Sequence, residues 1–443
     1  MEIIVHSFLH SVELDTEKCM GCTNCIKRCP TEAIRVRGGK ATIKSERCID
    51  CGECIRICPY KAKRASYDKF DSIYDFKYKI ALPAPALYGQ FDNLDDIDMV
   101  LTGLLEIGFD DVFEVSRAAE IISEVTRKFF IERYKEGKKH GEHPIISTAC
   151  PAVVRLISVR FPYLSDYLLP ILAPVELAAR MARAEAKKAY PNLTDEDIGV
   201  FFITPCPAKV SYIRQPIGVE KTAITGALAI SEVYLKLLSA MKNIKKSKPI
   251  SRSGVIGISW ATAGGESAAL LDEKYLAADG IENVIRVLDE IENENFSGLD
   301  FIELNACSGG CVGGALTMEN AYIAKARIQQ LRKYLPLSQN HVDSADEAES
   351  HIEWSQKIDE NRAMRFSDDK KTAIGMRAKM TEIAKSLPGL DCGSCGAPTC
   401  RALAEDIVRG EAYESDCIFR MKEKIQAIFR SIADIEHIDI DTK

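Results

Sequence analysis

The chain has 443 residues, of which 46% are hydrophobic and 28% charged, and its formal net charge is −7. The composition is typical of a soluble globular protein, and the negative charge argues against nucleic acid or an anionic membrane surface as the main partner. No run approaches the roughly 18 apolar residues of a transmembrane helix, and the N-terminus lacks the pattern of a signal peptide, so we expect a cytoplasmic location.

The first predicted element is a cysteine motif that occurs twice. CxxCxxCxxxCP occupies residues 19–30 and again residues 48–59. This is the spacing of two-cluster bacterial ferredoxins, in which each fourth cysteine ligates the other cluster, and it is rare in zinc sites. We therefore predict a ferredoxin-like α+β domain at residues 1–75 that relays electrons through two [4Fe–4S] clusters. The predicted ligands are Cys19, Cys22, Cys25 and Cys58 for one cluster, and Cys48, Cys51, Cys54 and Cys29 for the other.

After this repeat the pattern of apolar and polar residues changes, and apolar runs alternate with amphipathic helical patterns. Predicted buried strands cover residues 79–87, 110–115, 144–150, 198–206, 254–261 and 300–307, with helices at 116–137 and 174–190. Such alternation predicts an α/β fold of parallel sheets flanked by helices. Three of the strands lead into Cys150, Cys206 and Cys307. Because ligands bind at the carboxyl ends of parallel strands, we expect these loops to converge on one crevice.

The last part of the chain holds a fourth cysteine set. Residues 336–386 are polar and charged and are predicted as a helical connector between an α/β domain at 76–335 and a C-terminal domain at 387–443. The C-terminal set, CxxCx4Cx16C, resembles a small [4Fe–4S] domain of Rnf-type electron-transport subunits and of corrinoid proteins of acetyl-CoA metabolism. Zinc is the alternative because four thiolates suit either metal. We expect a further electron relay or a signalling contact there. The predicted ligands are Cys392, Cys395, Cys400 and Cys417.

Three motifs of the middle region resemble the signature motifs of [FeFe]-hydrogenases. TACPAV at 148–153 is similar to the family's TSCCPxW, and TPCPAK at 204–209 to its MPCxxKxxE. ELNACSGGCVGG at 303–314 is similar to ExMACxGGCxxGGGxP and is the most specific of the three. APA at 84–86 and TAGGESAA at 262–269 also resemble family segments. The resemblance spans roughly residues 78–335.

The resemblance implies an H-cluster, which is a [4Fe–4S] cubane joined to a two-iron subsite with CO, CN and a dithiolate bridge. By position, the cubane ligands would be Cys150, Cys206, Cys307 and Cys311. Cys311 would bridge to the two-iron unit, and Lys209 would donate a charge-assisted hydrogen bond to a cyanide. Pro85 and Ala86 would line the same ligands. Hydrogenase maturation proteins would insert the two-iron unit.

The chain also departs from the family pattern. Ala149 stands where fast hydrogenases carry the cysteine that passes protons to the dithiolate bridge. Tyr212 replaces the glutamate of the second motif, and Thr204 and Asn305 replace methionines. This pattern resembles sensory branches of the family, in which slow turnover is expected. Candidates for a substitute proton relay are Glu120, Glu124, Ser147 and Tyr212.

The sequence thus predicts a hydrogenase-like enzyme with slow, reversible H2 oxidation and a sensory or regulatory role. Its partners would be H2, protons, a ferredoxin-like electron carrier or a signalling protein, and maturation proteins, with no nucleic acid and no membrane. The alternative is a non-catalytic iron–sulfur protein of the same fold that transfers electrons or assembles clusters. The intact Lys209 and the complete CSGGCVGG segment argue against this alternative.

Overall fold

The computed structural model describes residues 10–135, 143–296, 298–342, 352–358 and 362–436. Contacts divide the chain into two compact units. The first unit comprises residues 1–13, 49–52 and 65–361, and the second comprises residues 14–48, 53–64 and 362–443. The chain therefore passes between the units more than once within the N-terminal cysteine repeat.

Strands and helices alternate along most of the described chain. The strands are β1 (Val12–Leu14), β2 (Ile34–Arg37), β3 (Lys40–Ile43), β4 (Lys63–Ala65), β5 (Tyr78–Pro83), β6 (Asp111–Val112), β7 (Ile145–Ile146), β8 (Ile198–Thr204), β9 (Gly226–Ala229), β10 (Tyr275–Asp279) and β11 (Phe301–Asn305). The α-helices are α1 (Asn24–Lys27), α2 (Glu53–Ile57), α3 (Ile97–Glu106), α4 (Val115–Lys135), α5 (Pro151–Arg160), α6 (Pro174–Ala189), α7 (Pro207–Arg214), α8 (Ile230–Asn243), α9 (Val255–Ser259), α10 (Gly265–Ala269), α11 (Ile281–Glu292), α12 (Ala321–Leu331), α13 (Lys370–Ser386), α14 (Cys400–Val408) and α15 (Ile418–Glu436).

The first unit is built on two parallel sheets. One has the strand order β6-β5-β8-β9, with Ile80 opposite Val200 and Thr204 opposite Ala229. The other has the order β10-β11-β7, with Phe301 opposite Ile145. The predicted α/β class with parallel sheets is thereby confirmed.

The four-stranded sheet is buried on both faces, because alternate side chains of its central strands enter different parts of the core. Ile80 and Val200 pack with the buried residues of α4 and α6. Ala81 and Phe201 pack with those of α3 and α8. A parallel sheet covered by helices on both faces needs this nearly continuous apolar sequence. The sheet thus fixes the positions at which β5 and β8 end.

The predicted strand at residues 254–261 is wrong, because its centre forms helix α9. A short apolar run fits a buried strand and a buried helix equally well by periodicity. Here a Cβ on Gly257 would lie 2.1 Å from the carbonyl oxygen of Ser116, so only glycine allows the helix to pack directly on the start of α4. The backbone N–H of Val255 donates to the carbonyl of Pro336 at 2.8 Å instead of to a neighbouring strand.

The second unit contains the β2–β3 hairpin, the short helices α1 and α2, and the C-terminal helices α13 to α15. Met380 and Ile383 of α13 pack with Ala402 and Leu403 of α14 in a small core of their own. Helix α13 lies in the predicted connector, whose earlier described residues form no α-helix. Across the described part of the chain, no helix is long and apolar enough to span a membrane.

Candidate functional site

Cysteines follow three strands of the first unit, as the sequence predicts. Cys150 lies four residues after the end of β7, Cys206 two after β8, and Cys307 two after β11. Cys150 and Cys206 each occupy the N-cap position of the next helix, with proline at the first helical position. Helix N-termini favour negative charge, so both positions suit a thiolate ligand.

The four middle thiols are close enough to influence one another electrostatically. Burial raises the pKa of Cys206 to about 11, and the neighbouring thiols of Cys150 and Cys307 add to the rise while Lys209 opposes it. Burial likewise raises the pKa of Cys311 to about 12, again with contributions from the other three cysteines. Metal ligation requires thiolates, so a cluster bound here would displace the protons of these thiols. The structure therefore brings the predicted cubane ligands together.

Glycines allow the third motif to approach the backbone of the other loops. Gly310 has φ +89°, and a Cβ there would lie 2.4 Å from the nitrogen of Ala263. A Cβ on Gly314 would lie 2.1 Å from the carbonyl oxygen of Pro205. Backbone hydrogen bonds hold these contacts, since Val312 donates to the carbonyl of Ala261 at 3.0 Å. The CSGGCVGG segment thus lies against the loops that carry Cys206 and residues 262–264.

A cavity lies beside Cys311. Its lining combines apolar and ionisable residues: Ala84, Pro85, Val115, Ala119, Ala149, Pro174, Val175, Phe202, Pro205, Lys209, Trp260, Glu266, Glu303, Asn305 and Cys311. Of the predicted site residues, Pro85, Ala149, Lys209 and Cys311 reach the cavity. Ala86 is not part of this lining and is completely buried in the core beside the sheet.

Lys209 is a half-buried cation in this cavity. Burial alone lowers the pKa of a lysine, but here the thiols of Cys311, Cys206, Cys150 and Cys307 outweigh it and the pKa is raised. Its Nζ donates to the carbonyl oxygen of Ala149 at 2.8 Å. An ammonium carries three donors, so Lys209 can also bind an anionic or polar ligand in the cavity.

Two buried carboxyl groups share the cavity with Ala149, and sequence reasoning missed their role. Ser147 Oγ donates to Glu266 Oε2 at 2.6 Å and accepts from the Ala149 backbone N–H at 3.2 Å. Burial and the neighbouring Glu303 raise the pKa of Glu266 to about 8, although Ser147 and Lys209 favour the charged form. Glu303 is held by the backbone N–H groups of Gly264 and Ser267, both at 2.9 Å. Glu266 is therefore a carboxyl group that can hold or release a proton near neutral pH.

The other predicted relay residues are not among those that line this cavity. Glu120 accepts hydrogen bonds from the backbone of Gln339 and Asn340, both at 2.8 Å, and so fixes that segment. Glu124 accepts from the Val342 backbone at 3.3 Å. Tyr212 is buried in the core, and burial raises the pKa of its hydroxyl strongly. Of the four candidates, Ser147 alone contacts a residue that lines the cavity, among the contacts described.

The second unit contains two further cysteine cavities. One is lined by Cys19, Cys22, Cys25 and Cys58, which is the crossed set that the ferredoxin spacing predicts. The other is lined by Cys392, Cys395, Cys400 and Cys417. Four thiols around one small cavity fit a [4Fe–4S] cluster or zinc. The remaining set stays a prediction, because Cys51 belongs to the first unit and Cys29, Cys48 and Cys54 belong to the second.

Comparisons with known proteins agree with these three regions. The family of the iron-only hydrogenase large subunit, C-terminal domain, matches residues 77–234 and 229–315, which is more than half of the chain. A 4Fe-4S dicluster family matches residues 11–59, and an Fe-S cluster family matches residues 387–419. The chain belongs to the [FeFe]-hydrogenase family and carries iron–sulfur cluster domains on both sides of its hydrogenase domain.

The relatives are distant. Iron hydrogenase 1 of Clostridium pasteurianum is 25% identical over 298 residues, which are 54% of this chain and 50% of that protein. The periplasmic [Fe] hydrogenase large subunit of Nitratidesulfovibrio vulgaris is 27% identical over 370 residues, which are 69% of this chain and 86% of that protein. A solved [FeFe]-hydrogenase of Chlamydomonas reinhardtii has 14% identity and a TM-score of 0.48, covering 59% of this chain and 86% of that one. The chain thus matches only half the length of the clostridial relative.

Proposed function

We propose that this protein is a slow hydrogenase with a sensory or regulatory role, whose reaction is H2 ⇌ 2H⁺ + 2e⁻ at an H-cluster. The observation that carries the proposal is the joint position of Cys311, Lys209 and Ala149 on one cavity. Cys311 would be a ligand of the cofactor and Lys209 the cation beside it, whereas Ala149 cannot carry a proton. When bound, the H-cluster supplies the metal centre at which H2 is split.

The protein residues would hold the cofactor and move protons. Cys150, Cys206, Cys307 and Cys311 would ligate the cubane, and the Lys209 ammonium would bind a cyanide of the two-iron subsite. Pro85, Phe202 and Trp260 give the cavity an apolar side that restricts water. The cofactor carries the redox chemistry, and the protein positions and tunes it.

Protons would reach the cavity through Glu266 rather than through residue 149. The Ser147 hydroxyl donates a hydrogen bond to Glu266 and accepts one from the backbone N–H of Ala149. Ser147 therefore connects the carboxyl group to the position at which fast enzymes have their cysteine. A carboxyl group with a raised pKa exchanges protons readily near neutral pH. Because this route lacks the thiol that fast hydrogenases have at position 149, we expect turnover to be slow.

Electrons would leave through the N-terminal cysteine repeat. Cys51 packs in the same part of the core as Cys150 and Cys206. A Cβ on Gly52 would lie 2.5 Å from that of Ala315 and 3.5 Å from Pro207, so only glycine permits this close approach. The contact supports Cys51 as the residue through which electrons would leave the middle site. A ferredoxin-like carrier or a signalling protein would be the partner.

The test uses the full chain after maturation with a two-iron subsite. H2 oxidation with an artificial acceptor, H2 production, and exchange between D2 and water protons are measured in the same preparation. We expect slow but measurable turnover in both directions. A chain that carries the two-iron subsite and shows neither turnover nor exchange would instead support the non-catalytic electron-transfer or assembly role.

A further inference from the structure

The C-terminal cysteine loop packs directly on the β2–β3 hairpin within the second unit. The Val36 backbone N–H donates to the carbonyl oxygen of Gly396 at 2.8 Å, and a Cβ on Gly396 would lie 1.7 Å from the carbonyl oxygen of Val36. Arg37 donates to the carbonyl of Cys395. Val36 also lines the cavity of Cys19, Cys22, Cys25 and Cys58. One residue therefore contacts both cysteine sites.

Lys27 forms a second bridge between the two sites. It lies on α1, two residues after Cys25, and its Nζ donates to the carbonyl oxygens of Asp391 and, at 2.9 Å, Pro398. A Cβ on Gly393 would lie 2.9 Å from Lys27 Cε, so the loop residue next to Cys392 lies directly against this side chain. The ammonium thus holds the loop that carries Cys392 and Cys395 to the helix that carries Cys25.

Buried ion pairs fix the rest of the contact. Asp406 on α14 forms ion pairs with Arg35, whose Nε lies 2.6 Å from its carboxylate, and with Arg37, at 3.1 Å. The Asp406 side chain is 1% exposed. Its neighbour Glu405 pairs with the buried Arg47. Burial opposes ionisation of Glu405, but hydrogen bonds from Arg47 and Arg409 lower its pKa to about 2. Such a network resists displacement, because an unpaired buried charge is costly.

We propose that the C-terminal site and the Cys19/Cys22/Cys25/Cys58 site form one electronically coupled pair, with Lys27 as the positioning residue that holds them together. This inference rests on the proposed clusters at these two sites and does not depend on hydrogen chemistry at the middle site. A single electron passes from the reduced cluster of one site to the oxidised cluster of the other, without bond formation or proton transfer. The C-terminal domain is thus an extension of the ferredoxin relay.

The test is electron paramagnetic resonance of the full chain, reconstituted with iron and sulfide, without a two-iron subsite, and reduced with dithionite. Variants Cys392→Ser and Cys22→Ser each remove one cluster, and the double variant removes both while the other two clusters stay. The signal of the C-terminal cluster is the difference between spectra with and without it. The proposal expects this difference to be broader when the Cys19/Cys22/Cys25/Cys58 cluster is present (wild type minus Cys392→Ser) than when it is absent (Cys22→Ser minus the double variant). Equal difference spectra, or zinc instead of iron at the C-terminal site, overturn the proposal.

Lys27→Met tests the positioning role. The iron content is expected to stay at the wild-type value while the broadening is lost, and Lys27→Arg is expected to restore it in part. Lys371→Met, on the exposed start of α13, is the matched control and should leave the spectrum unchanged. Wild-type broadening in Lys27→Met overturns the role of Lys27. Because the middle site lacks its two-iron unit here, failure of this test is distinct from failure of the proposed hydrogenase activity.

Discussion

Under the proposed function, Ala149 is the residue that would separate this site from that of a fast hydrogenase. It lies on the cavity beside Lys209, and its backbone is held by Ser147 and Lys209, so a side chain at this position is presented on a rigid support. Ala149→Cys should therefore raise the rate of H2 production at least about 10-fold, because a thiol adds a general acid next to the cofactor. The rate is measured with matured protein of equal iron content.

Ala149→Ser is the control for size and polarity at this position. A hydroxyl group is a far weaker acid than a thiol, so we expect a smaller gain. Equal rates for wild type and Ala149→Cys would show that another feature of the cavity, such as Asn305, limits turnover.

Glu266 is the residue that we expect to replace the missing thiol. Glu266→Gln keeps the shape and hydrogen bonding of the side chain but cannot transfer a proton. We expect at least a 10-fold loss of H2 turnover, within the range that general acid–base groups contribute. Glu132→Gln, on the exposed face of α4, is the matched control. If Glu266→Gln retained wild-type turnover, Glu266 would not be part of the proton route.

The raised pKa of Glu266 also predicts a pH-dependent cost to stability. Its pKa is about 8 in the folded protein and roughly 4.3 in the unfolded chain. Between these values the unfolded chain has released the proton while the folded protein retains it, so stability falls as the pH rises through this window. The melting temperature of Glu266→Gln minus that of the wild type should therefore be larger at pH 8 than at pH 5, as measured by calorimetry. A pH-independent difference between the two proteins would contradict the assignment.

The glycine segment of the third motif is the element that brings the cysteine loops together. Gly310→Ala would add strain at φ +89° and a clash 2.4 Å from the Ala263 nitrogen. Gly298 is the matched control, because it has φ +87° but no heavy atom within 4 Å of its Cβ position. Strain alone costs on the order of 1 kcal/mol, so Gly298→Ala should lower the melting temperature slightly. Gly310→Ala should lower it more and also lose bound iron, and equal effects of the two changes would contradict the close approach.

The elements of the first unit show what the sequence could and could not reveal. The strands that lead to Cys206 and Cys307 are continuous apolar runs, and the helix over residues 174–190 is strongly amphipathic, so the sequence predicts the strands and the helix correctly. Strand β9, with the sequence GALA, was missed because small residues carry little strand preference, and its place is set by pairing with β8. Strand β10 was missed for a similar reason, since its pairing with β11 is a long-range contact.

The candidate site shows the same division between local and long-range information. Cysteine spacing predicted the ligand sets of the cavities in the second unit, because cluster ligands follow short fixed motifs. No local motif joins Ser147 to Glu266, which are 119 residues apart. The signal available was Glu266 itself, an acidic residue in the TAGGESAA segment whose environment the fold determines.

At the scale of the second unit, the C-terminal domain depends on charges that the ferredoxin hairpin provides. Asp406→Asn would leave Arg35 and Lys44 without their buried carboxylate, and breaking such a pair costs about 3–5 kcal/mol. We expect faster amide hydrogen exchange in α14 and faster proteolysis before residue 387, with the hydrogenase domain unaffected. Glu423→Gln, at an exposed ion pair on α15, is the control and should change neither. Unchanged exchange in α14 after Asp406→Asn would contradict a docked C-terminal domain.

For the whole molecule, the proposed function requires that the middle cysteine site bind an H-cluster with Lys209 at its two-iron subsite. Infrared spectroscopy of the matured full chain tests it most directly, because CO and CN ligands absorb where proteins do not. We predict CO and CN bands in the wild type and shifted CN bands in Lys209→Met, in which the hydrogen bond to cyanide is lost. Absence of CO and CN bands, under conditions that mature a known [FeFe]-hydrogenase in parallel, would contradict the account.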